Sequence, residues 1–167
     1  EIKAADIDEP FFFASHPKLQ ERIDHYRELS TGANGGETAR ERYLDTTAAL
    51  RLASLDADLA AYRYKQLILV LGDPERRSEY PPEAAYYLGE AYRQRGEAGD
   101  LERAETEYRS AMDAAPSFAP PYRALGLLAY KRGDKAAAAP LLQRYLELAP
   151  DAPDRGHIEH YLKALAP

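Results

Sequence analysis

The sequence predicts an all-α protein built from successive helical hairpins. Three observations lead to this prediction: a repeat within the second half of the chain, apolar residues at helical spacing inside each copy, and glycines and prolines where helices must end. A length of 167 residues suits one compact domain or one array of hairpins.

The repeat spans residues 82–150 and has two copies, 82–116 and 119–150. A short insertion at 97–99 keeps the two copies in register. Four features recur in both copies: a Leu-Gly pair, a turn glycine, an alanine and a final proline. In the first copy they are Leu88-Gly89, Gly96, Ala104 and Pro116, and in the second they are Leu125-Gly126, Gly133, Ala138 and Pro150. Each copy therefore predicts two helices joined by a tight turn.

Several residues inside the copies make specific predictions about the helices. Gly89 and Gly126 fall in helix interiors, where glycine costs up to about 1 kcal/mol relative to alanine, so we expect two backbones to approach closely there. Asp100 and Asp134 are expected to be the N-cap residues of the second helices. Pro140 lies inside the last of these helices, at a cost on the order of 3 kcal/mol, and predicts a kink.

The order of Leu-Gly, turn glycine, alanine and proline resembles the tetratricopeptide repeat (TPR) over residues 82–150. Ala85, which stands where the family has an aromatic residue, the insertion at 97–99 and Pro140 depart from the family pattern. The resemblance implies a right-handed α-solenoid whose first helices form a concave face that binds a protein or an extended peptide. Matching positions place eight residues in this binding groove: Tyr86, Glu90, Arg93, Gln94, Arg123, Leu127, Tyr130 and Lys131.

The segments on either side of the repeats are predicted to extend the array. Residues 151–167 form a closing helix with an apolar stripe of Ile158, Tyr161, Leu162 and Leu165. Upstream, residues 37–74 are expected to form a degenerate helical hairpin, with its two helices meeting near residues 54–56. Repeat hairpins need about three copies for stability, and the count is met in this way.

The amino-terminal residues do not follow the repeat pattern. An apolar run at Phe11 to Phe13 precedes the string SHPKLQERI, which resembles a motif near the end of the catalytic domain of HExxH zinc metallopeptidases related to the CAAX prenyl protease. The resemblance makes residues 1–36 the end of a metallopeptidase domain plus a linker. It also gives His16 and Arg22 supporting roles beside a zinc-bound substrate, if they are joined to the missing zinc domain.

Bacterial envelope members of that group often carry TPRs after the peptidase domain, in the order found here. The resemblance thus implies a periplasmic or envelope location, while a cytoplasmic location stays open. No HExxH occurs in the chain, so we assign it no catalytic residue, metal site or cofactor of its own; zinc belongs to the suspected parent protein. Because the chain opens at Glu1 without a methionine, we expect it to be a piece of that protein.

The expected function is recruitment of protein substrates or partners by the non-catalytic carboxy-terminal part of such a peptidase. A stand-alone TPR adaptor with no link to proteolysis is the alternative. A third hypothesis is a metal-dependent enzyme that uses His157 and His160, for which no third ligand is evident in the sequence. Separated from a peptidase domain, Phe11 to Phe13 is expected to fold back on the repeats or to mediate self-association.

Composition argues against other classes of protein. Lysine and arginine number 22 against 28 acidic residues, and a net charge of -6 provides no basic field for nucleic acid. No apolar run is long enough for a transmembrane segment. The absence of cysteine excludes disulfides and thiolate chemistry.

Overall fold

The structure is a computed structural model that describes residues 19–31 and 39–165. Those residues form helices and contain no strand, which confirms the all-α prediction. The chain divides into two compact units, Glu1–Ala39 and Arg40–Pro167. In chain order the described helices are α1 (Leu19–Ser30), α2 (Arg40–Thr46), α3 (Ala48–Ala60), α4 (Tyr64–Leu71), α5 (Pro74–Arg77), α6 (Ala84–Arg95), α7 (Asp100–Ala114), α8 (Pro120–Lys131), α9 (Lys135–Leu148) and α10 (Arg155–Leu165).

Helix α1 is the main described part of the first unit. Arg22 lies exposed on this helix. Tyr26 and Leu29, which belong to its apolar face, are 63% and 62% exposed. His16 and the run Phe11 to Phe13 lie outside the described residues, so the predictions made for them stay predictions.

In the second unit, helices pack against their neighbours in chain order. Helix α6 packs against α7, and α8 against α9, which gives two helical hairpins. Helix α7 also packs on α8, and α9 on α10, while α3 and α4 both pack on α6. Buried apolar residues form three successive clusters, around Leu67 and Leu71, around Tyr108, and around Leu142 and Ile158. The core is thus a series of clusters rather than one central core.

The close approach predicted at the interior glycines is confirmed. A Cβ added at Gly89 would lie 2.6 Å from the ring of Tyr108, and one at Gly126 would lie 2.7 Å from the side chain of Leu142. Tyr108 and Leu142 are equivalent positions of the two copies once the insertion at 97–99 is counted. In both hairpins, therefore, a glycine of the first helix leaves room for a large side chain of the second helix.

Two turns end their first helices as the sequence predicts. Gly96 and Gly133 adopt left-handed backbone conformations, with φ of 71° and 78°, which residues with a Cβ rarely adopt. Asp134 caps α9 by accepting a hydrogen bond from the backbone N–H of Ala137 at 3.0 Å. The N-cap prediction for Asp134 is confirmed.

The corresponding prediction for Asp100 is wrong. Gly99 holds the N-cap position of α7, and Asp100 is the first helical residue. Its carboxylate is turned to Arg95, which donates two hydrogen bonds to it at 2.8 and 2.6 Å, and to the backbone N–H of Glu97 at 3.0 Å. The insertion at 97–99 lengthens this turn, so the carboxylate closes the turn instead of capping the helix.

The expected turn near residues 54–56 is also wrong. Helix α3 runs through these residues, and Leu55 is buried at 3% exposure in the first apolar cluster. The helix breaks fall instead at Thr47 and at Tyr62, where the backbone φ of Tyr62 is 59°. Leu55 is buried in one cluster with Leu67 and Leu71 of α4, and this tertiary packing outweighs the polar neighbours that suggested a loop.

The connector after α4 contains a short helix. Asp73 caps α5 by accepting a hydrogen bond from the N–H of Glu75 at 2.9 Å. Arg77 then donates two hydrogen bonds to Glu107 of α7, at 3.3 and 2.5 Å, so the connector is tied to the first repeat. Helix α9 continues through Pro140, whose side chain is exposed.

The closing helix packs as predicted. Ile158 is 1% exposed, and Tyr161, Leu162 and Leu165 pack beside it against α9. Among the described helices, none is long and apolar enough to cross a membrane.

Candidate functional site

Helices α6 and α8 carry all eight residues predicted to line a groove. Seven of these residues line two clefts, and the exception is Tyr130. The first cleft, of about 330 Å³, is lined by Asp56, Leu59, Ala60, Tyr62, Tyr86, Glu90 and Gln94. The second, of about 90 Å³, is lined by Glu90, Arg93, Arg123, Ala124, Leu127, Leu128 and Lys131. The two clefts share Glu90, and together they are called the groove below.

Glu90 forms the floor at which the two clefts meet. It is 7% exposed, yet its carboxylate accepts four hydrogen bonds, so its burial is compensated. The donors are Arg93 Nε at 3.0 Å, Arg93 Nη2 at 2.6 Å, Gln94 Nε2 at 3.0 Å and Tyr108 Oη at 2.6 Å. Burial alone would raise the pKa of Glu90, but the hydrogen bonds from Arg93 and Tyr108 lower it below its ordinary value. The carboxylate is therefore ionised and already paired.

Tyr86 supplies an aromatic wall beside this floor. Its ring contacts three other rings, those of Tyr87, Tyr108 and Phe118, at centroid distances of 5.4, 5.8 and 5.6 Å. Burial, followed by the negative charge of Glu90, raises the pKa of Tyr86 above its ordinary value. The hydroxyl of Tyr86 thus stays protonated and able to donate a hydrogen bond.

Arg123 is not a free cation. Its Nε donates to Asp154, in the turn before α10, and Asp154 also accepts a hydrogen bond from the hydroxyl of Tyr145 at 2.7 Å. Burial would raise the pKa of Asp154, but the hydrogen bonds from Tyr145 and Arg123 lower it. Burial, followed by the hydrogen bond to Asp154, raises the pKa of Tyr145 to about 12. This triad joins α8, α9 and the turn before α10.

The remaining predicted residues differ in what they offer a ligand. Lys131 is exposed and pairs with no carboxylate of the described chain, so it is the available cation of the groove. Leu127 provides a half-buried apolar contact beside it. Tyr130 instead packs against Tyr161 of the closing helix, with the ring centroids 4.7 Å apart. The groove therefore presents one free ammonium, apolar surface and tyrosine hydroxyls.

A third cleft continues the groove beyond its amino-terminal end. It has a volume of about 420 Å³ and shares Tyr62 and Gln94 with the first cleft. It lies at the turn between α3 and α4, where Tyr64 donates a hydrogen bond from its hydroxyl to Gln94 Oε1 at 2.8 Å. The first cleft thus shares residues with each of the other two, and the three clefts together are lined by residues of α3, the turn after it, α4, α6 and α8.

The histidines considered as metal ligands lie on α10. His157 and His160 are both exposed, and the ring of His160 lies 6.3 Å from that of Tyr161. In residues 19–31 and 39–165, no group of three or more histidine, aspartate or glutamate side chains is placed to hold a metal ion.

Sequence reasoning missed three features of this surface. The pairing of Arg123 with Asp154 spans 31 residues, and no local pattern indicates it. The turn at Tyr62 lacks the glycine, asparagine or proline that normally signals one. The third feature, the pairing of Arg93 with Glu90, was missed but detectable, because residues three apart are neighbours on a helix.

Comparison of the chain with known proteins identifies no family for it. The chain matches no protein-family model, and a search of curated proteins finds no match.

Proposed function

We propose that the chain is a TPR-like helical array that binds an extended segment of another protein along the groove. The observation that supports this most directly is the succession of three clefts that meet at shared residues, Tyr62, Gln94 and Glu90. An extended polypeptide needs a long, open surface of this kind, whereas a small ligand is usually enclosed in one pocket.

The packing of the helices gives further support. In a repeat array each hairpin contacts its neighbours, and the first helices of successive hairpins lie side by side. Here α7 packs on α8 and α9 on α10, and the glycine contact of the first hairpin recurs in the second. Helices α3, α6 and α8 take the role of first helices, and they carry the clefts.

The side chains suit recognition of a peptide with a carboxylate and an apolar residue. Lys131 offers an unpaired ammonium, and Leu127 lies beside it. Tyr86 adds flat contact area at little cost in conformational entropy, because its ring is already packed. Arg93 pairs with Glu90, so the carboxylate at the floor of the groove is neutralised by a neighbouring cation.

Selection from a library of random peptides tests this proposal. Peptides selected on the full chain are measured by fluorescence anisotropy against Lys131→Glu, with Lys135→Glu as a control that makes the same charge change outside the clefts described above. Lys131→Glu is expected to weaken binding by about tenfold, because an attraction is replaced by a repulsion. If no peptide is selected, or if both variants bind equally well, the groove is not a peptide site.

The amino-terminal motif supports a more specific proposal. We propose that the array is the non-catalytic carboxy-terminal part of an HExxH zinc metallopeptidase of the bacterial periplasm or envelope, and that it recruits protein substrates or partners. Zinc would be held by the preceding domain. The string SHPKLQERI, with His16 and Arg22, is the support for this proposal. The encoded sequence upstream of Glu1 tests it: an in-frame HExxH is expected, and a stop codon or signal peptide directly upstream would leave the stand-alone adaptor.

A further inference from the structure

The third cleft, called the tyrosine cleft, differs from the groove in its charge. Its lining includes two tyrosines, Tyr62 and Tyr64, and three cations, Arg63, Lys65 and Arg95. None of the described residues that line it carries a carboxylate. Such a lining is unexpected for a chain whose net charge is -6.

Hydrogen bonds position the backbone of Tyr62 and the hydroxyl of Tyr64 in this cleft. Tyr62 has a left-handed backbone, with φ of 59°, and the residue is 77% exposed. The backbone N–H of Tyr62 donates to the carbonyl of Leu59 at 3.0 Å, which helps fix the turn. The ring of Tyr64 stands edge-on to that of Tyr62, with centroids 6.1 Å apart, and its hydroxyl is anchored on Gln94. Rigid, exposed aromatic rings are typical of surfaces that bind polypeptides.

The cations of the cleft are engaged to different degrees. Arg95 is paired with Asp100 and is 18% exposed, so it offers little to a ligand. Arg63 is 59% exposed and donates to Asp58 through Nη1 at 2.9 Å, which leaves other N–H groups of its guanidinium free. Lys65 is exposed and pairs with no carboxylate of the described residues. Lys65 and Arg63 are therefore the groups that an anionic ligand would meet.

We infer that the tyrosine cleft binds an acidic, extended polypeptide segment, in which a proline or aromatic residue lies on Tyr62 and Tyr64 and a neighbouring carboxylate pairs with Lys65 and Arg63. Charge complementarity selects the acidic partner, and the rings select a flat apolar residue next to it. The inference rests on the proposed function and deepens it. A segment seated here continues into the groove, because Tyr62 and Gln94 line both clefts.

The experiment uses fluorescein-labelled synthetic peptides of equal length and the full chain. One peptide alternates aspartate with proline and phenylalanine, a second replaces each aspartate with asparagine, and a third replaces each with lysine. A single-stranded oligothymidylate serves as a non-protein polyanion. The acidic peptide is expected to bind at least about tenfold more tightly than the neutral one, and its affinity should fall with salt.

Two variants locate the site. Lys65→Glu is expected to weaken binding of the acidic peptide by about tenfold, with Lys135→Glu as the matched control within about twofold. Tyr62→Gly removes the ring but suits the left-handed backbone, so the turn is retained; we expect about tenfold weaker binding. Tyr43→Ala, which removes another exposed tyrosine, controls for non-specific ring contacts.

The outcomes separate this inference from the proposed function. Equal binding of acidic and neutral peptides, or equal effects of Lys65→Glu and Lys135→Glu, would overturn the tyrosine cleft as an acidic site. Tighter binding of oligothymidylate than of the acidic peptide would assign the cleft to a nucleic acid instead. If library-selected peptides lose affinity with Lys131→Glu but not with Lys65→Glu or Tyr62→Gly, the groove stands and this inference falls.

Discussion

The two repeat hairpins and the helices upstream of them are held together by different contacts. In hairpins α6–α7 and α8–α9, a glycine faces a large side chain, Tyr108 or Leu142. Helices α3 and α4 contain no glycine, and they pack on α6 mainly through Leu55, Leu67 and Leu71. A glycine contact fixes one helix crossing, because only one residue type fits there. A cluster of leucines tolerates other apolar side chains, provided that the total volume and the pattern of apolar positions are kept.

The two regions also differ in where their unpaired cations lie. In the repeat hairpins, Arg93 pairs with Glu90 and Arg123 with Asp154, which leaves Lys131 as the unpaired cation of the groove. At the upstream turn, Arg63 pairs with Asp58, while Lys65 pairs with no carboxylate of the described residues. The unpaired cation of the groove therefore lies on a repeat helix, and that of the tyrosine cleft lies beside a turn supported by packed helices.

The largest expected effect tests the leucine cluster. Leu71 is 0% exposed, and Leu71→Ala should reduce the free energy of unfolding by about 2 to 5 kcal/mol. Leu69→Ala, on the same helix but at a site 67% exposed, should change it by less than about 0.5 kcal/mol. Denaturant unfolding measures both. Similar losses for the two variants would mean that α4 packs on a different face.

The same variant tests whether stability is local. In an array of neighbouring contacts, damage at Leu71 should open α3 and α4 before it opens α8 to α10. Amide hydrogen exchange followed by mass spectrometry resolves these segments. Uniform loss of protection across the second unit would indicate one cooperative core and weaken the proposal of a repeat array.

A smaller effect tests the glycine contacts. Gly89→Ala and Gly126→Ala each place a Cβ within 2.7 Å of a neighbouring side chain, and each should cost about 1 to 3 kcal/mol. Gly156→Ala is the control: no atom lies within 4 Å of the added Cβ, and α10 should gain up to about 1 kcal/mol from alanine. If all three variants are stabilised, helix propensity outweighs the close approach and the contact is not a constraint.

The contrast between the glycine contacts and the leucine cluster also explains how much of the structure could be predicted from the sequence. Gly89, Gly126, Gly96 and Gly133 each have a conformational or steric reason that is visible in the residue type, so the repeat hairpins were predictable. The turn at Tyr62 has no such reason, because a tyrosine there gives no local signal of a left-handed backbone. Its position follows from tertiary packing of leucines that lie on both sides of it.

Repeat positions singled out the eight residues but not the pairing of their cations. Seven of the eight line the clefts described above, yet no repeat position shows which cations are free. Arg123 finds its carboxylate in the turn before α10, a contact made only when the hairpins stack. Lys131 and Arg123, equal candidates in the sequence, therefore differ in the structure, and a variant at Arg123 would disturb packing as well as binding.

The smallest expected effect concerns the turn between α6 and α7, where the first repeat copy differs from the second. The hydrogen bonds from Arg95 hold the pKa of Asp100 at about 2, below its ordinary 3.8, despite the opposing effect of burial. A lowered pKa in the folded state means that this stability is complete above about pH 4 and is lost as the pH falls toward about 2. The second copy closes its turn with the Asp134 cap, and Arg132, which corresponds to Arg95, pairs with Glu105 of α7 instead.

Denaturant unfolding between pH 5 and pH 2 measures this contribution. Asp100→Asn should be less stable than the unmodified chain by a constant amount above about pH 4, and the gap should narrow below it, because protonation removes the same charge from the unmodified chain. The difference in stability between Arg95→Gln and the unmodified chain should also narrow over this pH range, since the Arg95 guanidinium is the main cause of the lowered pKa of Asp100. A gap that stays constant down to pH 2 in both variants would show that the carboxylate of Asp100 stabilises the turn by shape rather than by charge.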